Sequence, residues 1–151
     1  MNWHTLKEAM LTAASVCLIA ASAITSLSPA ASAEEAAAAR VFTVAQATAG
    51  KAAFEKNCAA CHMHDLSGDM DAPPLVGTQF MSGWRSRNTK DLFQYMSTAM
   101  PPGSSPLSAD SYTSITAYIL QSNGAVAGPE ALTTTTTVAI GTVASRKAES
   151  Q

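Results

Sequence analysis

Cys58-Ala59-Ala60-Cys61-His62 places two thiols three positions apart and an imidazole directly after the second. Each thiol can add across a vinyl group of a haem, which leaves the histidine facing the iron. A C-x-x-C-H run is therefore read as covalent attachment of a c-type haem, with His62 as the proximal ligand. Two other chemistries use similar residues. A thioredoxin-like C-x-x-C pair needs a βαβ context, but the flanking sequence is Ala-rich, with no β-branched run before the motif. A structural zinc site needs four tetrahedral ligands. Cys58, Cys61, His62 and His64 crowd four candidates into seven positions, and no second cluster follows. A plain disulfide is the remaining alternative.

A haem held by His62 has a sixth coordination position, and methionine is a common partner there. Five methionines follow the motif: Met63, Met70, Met81, Met96 and Met100. Met63 adjoins the proximal histidine, and Met96 falls within an expected helix, where methionine usually fills core space. Met70 and Met81 have no rigid context. Met100 precedes Pro101-Pro102, and the residue before a proline is pushed out of the α region, so its thioether stands on stiff, extended backbone. Met100 is the expected sixth ligand, with His64 as the alternative. A ligating histidine usually donates its other ring N–H to a carbonyl. Pro73 and Pro74 offer carbonyls on a rigid segment, and Pro74 is included among the expected cofactor contacts. Further on, Trp84, with Arg85 and Arg87, could bind a haem propionate, since an indole N–H or a guanidinium pairs well with a carboxylate.

The elements that must position these groups can be read around them. A helix is expected from about Thr48 or Ala49, running through Phe54 into Cys58. A second is capped at Thr89, with Asp91 in its first turn, and stops before Met100. A third begins at Ser108, carries the Tyr112, Ile115, Ile119 stripe with Tyr118 beside it, and stops at Asn123-Gly124. This stripe is expected to pack on the first helix near Gly50 and Phe54, where the glycine permits close approach.

Residues 11–27 carry no charge, follow Lys7 and lead to Ser32-Ala33 in an Ala-x-Ala pattern, the layout of a secretory signal peptide cleaved after Ala33. An uncleaved anchor is the other reading, although the stretch is short for a span of ~20 apolar residues. Cleavage removes Cys17 and leaves only the two motif cysteines, so no spare thiol would face an oxidising compartment. Lys7 and Glu8 leave together, so the formal charge stays at −2. Lys and Arg are scattered rather than grouped, which argues against nucleic acid as a partner. The expected organisation is a signal peptide over 1–33, a spacer over 34–47, one domain over 48–124, and a flexible Thr-rich tail over 125–151 that includes five consecutive threonines.

In order, the haem motif, Ala72-Pro73-Pro74-Leu75-Val76-Gly77, Phe80, Trp84, Met100-Pro101 and Tyr112 to Leu120 resemble the class I c-type cytochromes. More narrowly, they are similar to the small monohaem cytochromes that partner periplasmic quinoprotein dehydrogenases. The resemblance covers about residues 48–124. It implies a small all-α cytochrome c fold, three to five helices around one covalent haem c, with His62 and Met100 as axial ligands. It also implies single-electron transfer between a dehydrogenase donor and an oxidase or other acceptor, no substrate turnover, and possible membership of a larger redox complex. Two axial ligands leave no vacancy at iron; a peroxidase-like enzyme or a ligand-sensing module would need one. Periplasmic location without a membrane span in the mature form completes the expectation.

Overall fold

The computed structural model describes residues 40–70 and 72–144. The expected signal peptide, residues 34–39 of the spacer and the end of the tail, 145–151, lie outside the described residues. Among the described residues six helical segments follow one another: α1 (Val44–Asn57), α2 (Ala59–His62), α3 (Gly77–Trp84), α4 (Thr89–Ala99), α5 (Ala109–Ser122) and α6 (Ile140–Ala144). No strand occurs among the described residues, and the all-α expectation holds. Three segments lie beyond the expected helices: α2 and α6, only four and five residues long, and the eight-residue α3. Among the described residues no helix is long and apolar enough to cross a membrane.

α1 starts earlier than the sequence suggested, inside the expected spacer. Thr43 is its N-cap, accepting a hydrogen bond from the Gln46 backbone N–H at 3.1 Å, which satisfies one of the donors left free at a helix start. Its buried positions are Ala47, Gly50 and Phe54, and Phe42 just ahead of it is fully buried. α4 is capped by Asn88 rather than Thr89. The Asn88 side chain accepts from the Asp91 N–H and the Asp91 carboxylate accepts from the Asn88 N–H, each at 3.0 Å, a reciprocal capping box. Thr89 is thereby the first helical residue and is wholly buried. α3, not expected as a helix, places Phe80 and Trp84 one turn apart on one side, with their rings stacked at 6.2 Å.

α1 and α5 form the principal packing pair. At Gly50 their backbones meet so closely that a Cβ would lie 1.8 Å from the Ser114 carbonyl oxygen. One turn further along α1, Phe54 meets Tyr118 at 5.5 Å between ring centroids. This is the contact that the glycine and the Tyr112–Ile119 stripe anticipated. α5 is buried along nearly its whole length from Tyr112 to Leu120, so it serves as the central element.

Residues 125–144 depart from the expectation of a flexible tail, because they form a strap packed on the domain. Gly128 N–H donates to the Phe42 carbonyl at 2.7 Å. The Gln46 amide then clasps Leu132 at both ends: its Nε2 donates to the Leu132 carbonyl at 2.7 Å, and its Oε1 accepts from the Leu132 N–H at 2.8 Å. Past the threonines, Asn88 and Ala139 form an antiparallel bridge, and Thr89 N–H donates to the Val138 carbonyl at 3.0 Å. The Thr89 hydroxyl donates to the Thr136 carbonyl at 2.7 Å and accepts from the Val138 N–H at 3.2 Å. Ile140, Val143 and Ala144 complete the strap with buried side chains. Backbone pairing and a few apolar anchors hold this segment despite its low-complexity composition.

Two stability predictions follow from these contacts. Gly50→Ala must separate α1 from α5, and overpacking of this kind costs ~1–3 kcal/mol. In a domain of ~100 residues that corresponds to a fall in Tm of roughly 10 °C in a thermal melt; an unchanged Tm would mean the helices part without cost. Thr89→Val keeps the shape but strands the Thr136 carbonyl and the Val138 N–H, so it should lower stability by ~1–3 kcal/mol. Limited proteolysis should then cut the Thr133–Thr137 run sooner than in the parent protein.

Candidate haem site

The end of α1 delivers the cysteines. The Cys58 N–H donates to the Phe54 carbonyl at 2.8 Å, and the Cys58 carbonyl then accepts from the N–H groups of Cys61 at 3.2 Å and His62 at 2.9 Å. The helix thus reforms as the single turn α2 immediately after the first thiol. Cys58 is half-buried and Cys61 exposed. Burial, followed by the charge of neighbouring Cys61, pushes the free Cys58 thiol up to about 11. A thiol so raised stays protonated at neutral pH, the opposite of an activated redox cysteine.

His62 is oriented by the loop that follows. Its Nδ1 lies 2.9 Å from the carbonyl oxygen of Pro73. A carbonyl only accepts, so Nδ1 carries the proton and Nε2 keeps its lone pair for a metal. The sequence offered two adjacent carbonyls; Pro73 supplies this one, and both prolines line the cavity described below. The loop is held by the Gly68 N–H donating to the His62 carbonyl at 3.1 Å, the Asp69 N–H to the Ala72 carbonyl at 2.9 Å, and the Leu75 N–H to the Leu66 carbonyl at 2.9 Å. Gly68 has φ +65°, and a Cβ there would stand 2.4 Å from the Ala72 carbonyl oxygen, so the turn that presents Pro73 requires glycine. His64 pairs its Nδ1 with the Glu55 carboxylate at the surface and does not line the cavity. Hydrogen bonding from the Ser67 side chain, and then from the Ser67 N–H at 3.0 Å, holds the Asp65 carboxyl below the usual range.

These groups open onto a cavity of about 290 Å³. Phe54, Phe80, Leu92, Met96, Ile115 and Ile119 give it apolar walls, and Cys58, Cys61 and His62 reach it from the motif. Met100 and Pro101 line it from the loop after α4. Of the methionines considered, Met96 and Met100 line this space, while Met63, Met70 and Met81 do not. Met96 lies within α4, and Met100 is its C-cap, with extended backbone at φ −129° and ψ 143°, as the following proline demands. Trp84 also lines the cavity; its ring meets Tyr95 edge-on at 5.6 Å, and the Arg87 guanidinium sits 4.9 Å above it. Arg85 instead lines a wider, open depression with Gly77, Met81, Ser122 and Asn123, which shares no residue with the cavity. Arg85 is the one charged side chain lining that depression.

Residues 45–119 match the family model described as cytochrome c oxidase, cbb3-type, subunit III. The chain carries a c-type cytochrome domain. No curated protein and no solved structure matches. The cytochrome domain implies a covalently bound haem c, and the site suits it: paired thiols beside a fixed imidazole, apolar walls for the porphyrin faces, and a thioether on a separate loop. Zinc fits less well, because among the described residues no group of three or more Cys, His, Asp and Glu side chains is placed to hold a metal ion. The match begins one residue inside α1 and ends inside α5, so the strap lies outside it.

Sequence reasoning did not single out the Tyr112 hydroxyl, which bonds to the Met100 loop, or Asn123, which fastens the other side of the site. Asn123 Nδ2 donates to the Leu75 carbonyl at 2.9 Å, and its Oδ1 accepts from the Gly77 N–H at 3.0 Å. Asn123-Gly124 was legible as a helix stop, but nothing local in the sequence signals a partner 46 to 48 residues away.

In protein matured with haem-attachment machinery, Cys58→Ser together with Cys61→Ser should abolish haem staining on a denaturing gel. Each single substitution should reduce it, and full staining of the double variant would place the attachment elsewhere.

Proposed function

We propose that this cytochrome domain is an exported single-electron carrier whose one haem is ligated by His62 and Met100. The observation that carries this reading is that His62, at the end of α2 with its Nδ1 committed to Pro73, and Met100, on the loop after α4, line the same apolar cavity. When bound, the haem supplies a one-electron couple at its iron. His62 contributes its Nε2 lone pair, and the Pro73 carbonyl increases the donor strength of that ring by accepting from Nδ1. Met100 contributes the thioether that, paired with histidine, raises the reduction potential. Phe54, Leu92, Met96, Ile115 and Ile119 exclude water from the cavity, and the low local dielectric would favour the less charged, reduced state of the bound haem. Exposed Cys61 and the half-buried motif leave one edge of the site near solvent, where a donor and then an acceptor can approach through a small, transient interface.

With both axial positions supplied by the chain, the site suits electron transfer rather than substrate turnover. The partners fitting this role are a dehydrogenase donor and a terminal acceptor such as an oxidase. The matched family is described as an oxidase subunit, which supports a place within a larger redox complex. We assign the export signal to residues 1–33 and the working location to the periplasm, on the Ala-x-Ala pattern and the absence of a third cysteine after cleavage. The functional unit takes in residues 40–144, because α1 and the strap extend the domain beyond the 48–124 core read from sequence.

Absorption spectra of the oxidised and reduced holoprotein, with and without cyanide, test this reading. A low-spin spectrum with the weak far-red band of methionine–iron ligation is expected, together with slow cyanide binding. Met100→Ala should lose that band and lower the reduction potential. A high-spin oxidised spectrum with rapid cyanide binding would instead indicate an open site, as an enzyme or sensor requires.

A further inference from the structure

We infer that Tyr112 is a latch that holds the Met100 loop against the haem site, acting as a positioning residue for the sixth ligand. The inference rests on the assignment of Met100 proposed above. Met100 and Leu107 bound a loop that contains Pro101, Pro102 and Pro106, three residues with no N–H to donate. It therefore has few ways to fasten itself by backbone pairing. Both of its ends converge on one phenol: the Tyr112 hydroxyl donates to the Met100 carbonyl and accepts from the Leu107 N–H at 3.1 Å.

The phenol is itself fixed. Tyr112 is 3 % exposed, and its ring meets Phe93 of α4 edge-on, with centroids 6.4 Å apart and planes at 87°. Its helix, α5, is pinned to α1 at Gly50 and lines the cavity with Ile115 and Ile119. One rigid element thus forms part of the cavity wall and also holds the backbone of the residue whose thioether must reach the iron. Proline stiffens the loop locally but does not anchor it to the domain; the hydroxyl supplies that anchor. Without it, the Met100 carbonyl and the Leu107 N–H can turn to water, and the loop, half-buried at Met100, Pro101 and Leu107 and exposed between them, has little packing of its own to resist swinging away.

The latch governs how often Met100 leaves the iron, so the rate at which cyanide binds the oxidised holoprotein reads it directly. Tyr112→Phe keeps the ring against Phe93 and removes only the hydroxyl. Cyanide binding should accelerate about tenfold, equivalent to ~1.4 kcal/mol, while the far-red band persists at reduced intensity and the helical circular dichroism is unchanged. Leu107→Pro deletes the N–H donor and leaves Tyr112 in place, and should give a smaller acceleration in the same direction. Tyr118→Phe removes a hydroxyl from the same helix, away from the loop, and should bind cyanide at the parental rate. Parental rates in both Tyr112→Phe and Leu107→Pro, with the far-red band intact, would overturn the latch while leaving Met100 as ligand. A parent protein lacking the far-red band, or a Met100→Ala variant retaining it, would overturn the ligand assignment and the latch with it.

Discussion

The contact on which the rest depends is the crossing of α1 and α5 at Gly50, where the Ser114 carbonyl occupies the space of a missing side chain. Close approach of two backbones fixes distance and angle more tightly than interdigitating side chains do, because there is no rotamer to adjust. The two helices then deliver the site from opposite ends of the sequence. α1 runs on through Phe54 to Cys58 and sets the depth of the haem motif. α5 presents Ile115 and Ile119 to the cavity, while its ends hold neighbouring loops through Tyr112 and Asn123. A shift at Gly50 would therefore move the cysteines relative to both loops at once.

The parts of this arrangement legible in the sequence are those encoded locally. The haem motif is a contiguous pentapeptide, the Met100-Pro101 pair constrains its own backbone, and the α5 stripe repeats at helical spacing. The start of α1 was not legible because it buries Ala47 and Gly50, residues too small to produce an apolar stripe. α3 was passed over although Phe80 and Trp84 are spaced by four. The Asn88 cap could have been found from Asp91 three residues into the helix, the second half of a capping box. The choice of Pro73 over Pro74 turns on the left-handed backbone at Gly68, which directs one carbonyl of two chemically equal candidates toward His62.

The strap shows why composition misled. A run of threonines signals low complexity, yet it says nothing about whether backbone groups find partners. Here the Thr89 hydroxyl and the Gln46 amide supply side-chain clasps, and Arg85, Arg87 and Val138 supply backbone carbonyls to fixed N–H groups. Because Ile140 N–H donates to the Arg87 carbonyl and Gly141 N–H to the Arg85 carbonyl, the strap fastens the turn immediately after Trp84. It lies outside the residues matched by the family model, yet it steadies an aromatic residue of the haem cavity. The Arg87 guanidinium on the indole face further commits that ring.

The walls of the cavity are not equally secure, and the difference explains where control over the iron should reside. Phe54, Phe80, Leu92, Met96, Ile115 and Ile119 are core residues as well as cavity lining, so moving any of them exposes apolar surface and costs roughly 25 cal/mol per Å². The wall formed by Met100 and Pro101 is only half-buried, and Pro102 to Pro106 are exposed. Burial contributes little to keeping that wall in place, and three prolines reduce what backbone hydrogen bonding can contribute. Its position must then come from a small number of polar contacts to a rigid neighbour, each worth on the order of 1 kcal/mol. Such contacts can be strengthened or weakened by a single hydroxyl without disturbing the core. Where a wall is not fixed by burial, polar contacts of this kind decide how it stands against the cavity.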